Sequence, residues 1–137
     1  MITLQEVCDK VAEKMVEQSR PCVDMAGECV YSNHKGEHCA IGWVLVILGV
    51  PSDSEFYEVI GGLDTLIEEM RNSAVEDDAS KEEKDAMYFI GYHRKAMRVL
   101  QDFHDTRKDD REDATKHLDK YIDTSNPNWK LWSDAKC

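Results

Sequence analysis

Residues 39–50 read CAIGWVLVILGV, twelve positions with no charged side chain. A helix that is apolar on every side belongs inside a protein. A run of twelve is also too short to span a bilayer. This segment is therefore expected to form the central element, with the rest of the chain wrapped around it. Gly49 and Pro51 close it, because glycine readily takes the left-handed position after a helix and proline cannot continue one. Gly42 inside the run predicts that a neighbouring backbone approaches closely there.

The remaining elements read as amphipathic helices. Leu4, Val7, Val11 and Met15, widened by Cys8 and Ala12, mark a first helix. It is opened by a Thr3–Glu6 capping box and closed by Arg20–Pro21. The turn from Asn33 to Gly36 joins CVYS to EHCAI and predicts a small β-hairpin. Residues 54–60 read as a short helix capped by Ser52 or Ser54 and broken by Gly61–Gly62. Leu63, Leu66, Ile67 and Met70 mark another helix, and residues 72–80 a polar loop. Ser80 and Glu83 form a second capping box, opening a long helix over 81–107 with Met87, Ile90, Ala96, Val99, Leu100 and Phe103 inward. Asp109 or Asp110 opens the last helix, with Ala114, Leu118, Tyr121 and Ile122 inward. The expected fold class is mainly α: a compact bundle of five to six helices around a central apolar helix (39–49), with a minor β-hairpin at about 28–41. Residues 1–125 form a single helical domain. Residues 126–137 form a Trp-containing C-terminal tail, whose Trp129 and Trp132 dock on the domain or on a partner.

Charge narrows the function. The 137 residues carry 28 acids and 17 bases, net −11. Such a surface repels phosphate, so direct nucleic-acid binding is excluded as an expectation. The imbalance sits in residues 53–85, with 12 acids against 3 bases. Glu68, Glu69, Glu76, Asp77, Asp78, Glu82, Glu83 and Asp85 form a block. It reads either as a solvated face or as a surface that occupies a basic partner, with carboxylates standing where DNA phosphates would. The stretch DDASKEEKDAMY lacks the alternating ligands and central glycine of a calcium loop. The N-terminus lacks the basic start and apolar run of a signal peptide, no membrane contact is expected, and the five irregularly spaced cysteines read as reduced thiols.

Two chemical constellations stand against structural alternatives. Cys22, Cys29, His34, His38 and Cys39 supply enough sulfur and nitrogen for a zinc ion. Successive cysteines, however, are separated by six and nine residues, not the two to four of structural zinc sites. Buried thiols behave as small hydrophobes, which is the simpler reading. Cys39 at a helix start, where the dipole favours a thiolate, pairs on paper with His104 as base. Asp105 lies about 100° around the helix from His104 and is not expected to hold the same imidazole. No glycine-rich oxyanion loop is evident. The favoured reading is architectural. His104 ties its helix to the backbone of the Cys29–Cys39 loop, and Asp105 caps or pairs with Arg107 or Arg111. Tyr88, Phe89, Tyr92 and His93 are aromatic groups suited to a contact surface or to the core.

The order LQEVCDKVAEKMVEQS, Cys-x-Tyr, Gly-x-x-Cys-Ala-Ile-Gly and LQDFHD resembles small, functionally uncharacterised proteins of tailed bacteriophages. The matching positions are Gln5, Val11, Gln18, Ser19, Cys29, Tyr31, Gly36, Cys39, Ala40, Ile41, Gly42, Leu100, Gln101, His104 and Asp105. The extended WVLVILGV run and the tryptophan tail depart from that pattern. The resemblance implies a phage accessory protein in the cytoplasm of an infected bacterium, and it implies no activity.

Together these readings predict a non-enzymatic protein without cofactor or metal. It binds and inhibits a host protein, one that itself handles nucleic acid, and the reading allows a homodimer. Its contact residues are the acidic block with Trp129 and Trp132. Cys29, Tyr31, Cys39, Gly42, His104 and Asp105 are structural. The alternative is a small cysteine-dependent hydrolase or zinc protein centred on Cys39 and His104.

Overall fold

The computed structural model describes residues 2–18, 31, 36–59, 61–75, 79–106 and 110–134. Among these the elements are helices α1 (Leu4–Gln18), α2 (Ala40–Ile47), α3 (Leu63–Val75), α4 (Lys81–Tyr92), α5 (Arg94–Asp105), α6 (Arg111–Leu118) and α7 (Pro127–Asp134), with a 3-10 turn at Glu55–Glu58. The mainly helical expectation holds.

Helix α2 is central, contacting α1 on one side and α5 on the other. Ala40, Ile41, Val44 and Leu45 are completely buried. The end of α2 is set locally. Gly49 has φ 88°, and the N–H groups of Gly49 and Val50 return to the carbonyls of Val46 and Leu45, both at 3.0 Å. These two bonds satisfy carbonyls that the helix end leaves free, and buried Val50 adds an apolar contact. At Gly42 the Tyr31 backbone crosses the helix so closely that a Cβ would overlap the Tyr31 carbonyl oxygen and lie 3.0 Å from its carbon. This is the close approach expected of a glycine inside the run.

Two glutamines fix α1 at its ends. The Gln18 side chain accepts from the His38 N–H and donates to the His38 carbonyl, both at 2.9 Å, and also accepts from the Trp43 indole at 3.0 Å. Gln5 does the same for Asp123, both bonds at 2.7 Å. A primary amide has the donor and acceptor needed to pair a peptide group as a neighbouring strand would. The hairpin expected at 28–41 is not seen. Residues 28–30 and 32–35 lie outside the described residues. In the described part, the Gln18 amide takes the hydrogen bonds of the His38 peptide.

Helix starts follow the sequence signals. Ser80 and Glu83 form a full capping box on α4. Thr3 accepts from the Glu6 N–H at 3.2 Å, but the Glu6 carboxylate takes the Thr3 hydroxyl proton instead of reaching the backbone. Ser54, rather than Ser52, caps the 3-10 turn. Helix α3 runs on to Val75, into the stretch expected to be loop. The single long helix expected over 81–107 is two helices, α4 and α5, that meet at His93. Gly91 weakens the turn just before the break. The His93 ring packs at a tilt against Phe89 and edge-on against Tyr92, at centroid distances of 4.7 and 4.8 Å.

The C-terminal segment is no detached tail. Asn126 caps α7 through its side chain, accepting from Asn128 N–H at 2.9 Å, and Pro127 takes the first helical position. Trp129 and Trp132 are 2% and 3% exposed. Their rings lie 5.8 and 4.6 Å from Phe103, and the Trp129 indole donates to Asp9 of α1 at 2.9 Å. Their assignment to a partner surface is therefore corrected: both belong to the core that includes Val7 and Val11 of α1.

Buried titratable groups give the core a signature at high pH. Burial, then the neighbouring Asp9, pushes the Cys8 thiol from 9.0 up to about 12. Burial pushes the Tyr57 phenol from 10.0 up to about 12, its hydroxyl donating to the Val50 carbonyl at 2.8 Å. The unfolded chain thus loses these protons first. Stability is whole below pH 9.0 and falls as pH climbs from there to about 12. Denaturant melts across this range should show that decline, and Cys8 should stay unreacted with a thiol reagent at pH 8 until the chain unfolds.

Candidate functional site

Cys39 is the N-cap of α2, and its Sγ accepts from the Gly42 N–H at 3.4 Å. The thiol thus takes the place of the hydroxyl that usually satisfies a free N–H at a helix start. Tyr31 lies over it. Its hydroxyl donates to the Gly61 carbonyl at 3.3 Å, and its carbonyl sits 3.2 Å from His38 Nδ1. Burial first, then the nearby Cys39 and Asp105, raises the Tyr31 phenol above its ordinary range. Tyr31 therefore links the start of α2, through its backbone at Gly42 and His38, to Gly61.

At that end, His104 Nδ1 is 2.8 Å from Asp105 Oδ1. A carboxylate only accepts, so Nδ1 carries the proton in this contact. Gln101 also donates to Asp105, at 3.0 Å. This overturns the expectation that Asp105 cannot hold the neighbouring imidazole. A rotation of about 100° separates the two Cβ directions, but Asp105 is the last residue of α5, and both side chains reach across the final turn. Arg107 and the Arg111 side chain, its other proposed partners, lie outside the described residues.

The pair of imidazole and carboxylate resembles the base and orienter of a nucleophilic site, but the surroundings differ. Cys39 and His104 are 2% and 6% exposed, and the thiol already serves the helix cap. Among the described residues His104 bonds within its own helix and lies beside Trp132, while the Cys39 sulfur is buried in the cap of α2. Among the described residues no group of three His, Cys, Asp or Glu side chains could hold a metal ion. Cys22, Cys29 and His34 lie outside the described residues. The other two suggested zinc ligands face different surroundings. The half-buried His38 ring meets Trp43 edge-on at 4.5 Å and Tyr57 at a tilt at 5.6 Å, while Cys39 turns to Gly42. Burial lowers His38 from the ordinary histidine range, with the Tyr31 carbonyl opposing.

The acidic block divides. Glu76, Asp77 and Asp78 lie outside the described residues. Glu68 and Glu69 on α3 and Glu82 and Asp85 on α4 are exposed. Glu83 is committed internally: one oxygen accepts from the Ser80 N–H at 3.0 Å and the other from the Ser54 hydroxyl at 2.7 Å. Burial raises this carboxyl, but the bonds from Ser80 and Ser54 outweigh it, and its affinity for a proton falls below the ordinary range. Asp64, on the same helix as Glu68, is occupied by Arg94 at 2.5 Å and Arg98 at 2.7 Å. The Arg94 bond leads in holding its carboxyl below the usual range.

Beside these acids lies an apolar groove of about 1330 Å³, formed by the start of α1, the end of α2, α3 and α4. Ile47, Leu48, Ile67, Met87 and Phe89 line it, with Arg71, Asp85 and His93 as polar members. Tyr88 and Tyr92, four residues apart, stand on it at 70% and 86% exposure. The sequence pointed to these aromatic groups but not to a groove, since Ile2 and Leu4 join it from the other end of the chain.

The described residues define a small helical bundle with a buried thiol at the start of α2, a buried imidazole at the end of α5, and an outer face carrying acids and tyrosines. Among the described residues no helix is long and apolar enough to cross a membrane. Comparison with protein-family models, with curated proteins and with solved structures finds no match.

Proposed function

We propose that this protein is a non-enzymatic binding protein that engages a macromolecular partner through the outer face of α3 and α4. The observation that carries the reading is the exposure of Tyr88 and Tyr92 beside the groove and the free acids. Tyrosine joins large contact area to a polar tip and is favoured where proteins meet. Glu68, Glu69, Glu82 and Asp85 add a field that steers a basic partner and weakens with salt. A row of phosphate mimics is the weaker version of this idea, because Lys81 and Lys84 interrupt the acids and Asp64 and Glu83 are already engaged. The resemblance to phage proteins supports, as part of this proposal, a partner in a bacterial host, a protein whose activity is inhibited.

Capture from bacterial lysate tests this. The wild-type chain and a Cys39→Ser variant should retain the same partner. A variant with Glu68, Glu69, Glu82 and Asp85 changed to lysine should lose it by about tenfold or more. Retention by the charge-reversed chain, or loss with Cys39→Ser in a folded protein, contradicts the reading.

A further inference from the structure

We propose that the groove between α1, α2, α3 and α4 receives a basic amphipathic helix of the partner protein. This rests on the binding reading above and adds the form of the occupant. The floor is aliphatic and aromatic, with Ile47, Leu48, Ile67, Met87 and Phe89 contributing from three helices. At about 1330 Å³ it exceeds the roughly 300–1,000 Å³ of ordinary small-molecule pockets. An apolar helix face presents anchors at i, i+3, i+4 and i+7, which an elongated apolar groove accepts.

Charge selects among helices. Asp85 lines the groove, and the Glu82 side chain reaches Gly49, next to groove residue Leu48, to within 3.8 Å of where a Cβ would stand. Glu6 hydrogen-bonds Thr3 at the α1 end. The lining itself pairs Asp85 with Arg71, and Lys81 and Lys84 stand on the same helix as Asp85, but over residues 53–85 acids outnumber bases by 12 to 3, so the field around the groove is negative. A second copy of this chain, itself net −11, would bring like charge to that rim. A helix with lysine or arginine flanking its apolar stripe is complementary. Tyr88 and Tyr92 would then cover its exposed side, their hydroxyls remaining in water.

The test uses the full chain and a labelled synthetic peptide of about 18 residues. The peptide carries leucine at i, i+3, i+4 and i+7 and lysine on the flanks. One control peptide replaces the lysines with glutamate, and another replaces the leucines with alanine. Fluorescence anisotropy should show binding near about 10 µM for the first peptide. Each control should bind at least about tenfold more weakly. Tyr88→Ala/Tyr92→Ala removes only exposed rings and leaves the charge unchanged. It should weaken binding by about tenfold while the circular dichroism spectrum stays constant. Equal binding of the alanine control, no change in the tyrosine variant, or no binding by the leucine–lysine peptide overturns the proposal. So does a micromolar dimer of the protein alone, seen by sedimentation, that disappears in the tyrosine variant. Lysate capture that persists in the tyrosine variant but is lost on charge reversal sinks the helix-in-groove inference and leaves only the acidic part of the binding reading standing.

Discussion

Gly42→Ala is expected to destabilise the fold by about 3 kcal/mol or more, at the upper end of what overpacking costs. The added methyl has nowhere to go. It would overlap the carbonyl oxygen of Tyr31 and approach the His38 Cβ to 3.1 Å. The first obstacle is backbone, which cannot rotate aside as a long side chain can. The helix is constrained too. Ile41, Val44 and Leu45 are completely buried, so α2 cannot retreat without opening the core. Urea unfolding should show a lower midpoint with an unchanged slope. The contrast is Gly62→Ala. A Cβ there meets nothing within 4 Å, and stability should change far less. An equal loss at the two glycines would show that the Tyr31 crossing is not what constrains α2.

Trp132→Ala and Trp129→Ala should each cost about 3–5 kcal/mol, the range for removing a buried aromatic ring. Both rings are nearly inaccessible and both pack on Phe103, which is completely buried. Trp129 also loses its bond to Asp9, which links α7 to α1. A typical domain has only about 5–15 kcal/mol in total. The double variant, or a chain ended before Asn126, should therefore fail to unfold cooperatively at 25 °C. If such a chain melted like the wild type, residues 126–134 would be an appendage.

What the sequence made legible was mostly local. The end of α2 needed only Gly49 followed by Pro51, and the start of α4 only Ser80 and Glu83, because these bonds close within a few residues. Gly42 was readable because a glycine inside an otherwise bulky apolar run is costly unless something occupies the missing side chain's place. Helix α7 has a local start signal in Asn126–Pro127, but its burial depends on Phe103 and Asp9, which are distant in the chain. The glutamine clamps were not legible. Gln5 meets Asp123 across 118 positions, and nothing near either residue announces the other. The groove was hidden for the same reason, since its walls come from four helices. The contact of His104 with Asp105 was misjudged because ideal helix angles describe Cβ directions, whereas the imidazole and carboxylate meet some bonds further out.

The same division runs through function. The residue types of Cys39 and His104 carry chemistry, yet Cys39 serves as a helix cap, and the contact shown for the buried His104 is to Asp105 of its own helix rather than to the Cys29–Cys39 loop. The acids form a block in sequence, yet Glu83 is taken up by bonds to Ser54 and Ser80, and nearby Asp64 is paired at the surface with Arg94 and Arg98. What remains outward is a smaller patch, in which tyrosines and an apolar groove matter as much as charge.

Hydrogen–deuterium exchange on the complex captured from lysate tests the central claim most directly. The account predicts new protection in α3 and α4 and at the groove ends of α1 and α2, around Leu4 and Leu48, with amides around Cys39 and at the end of α5 exchanging as they do in the free chain. Protection that falls instead on residues 36–43 and 100–106, leaving α3 and α4 unchanged, would contradict it.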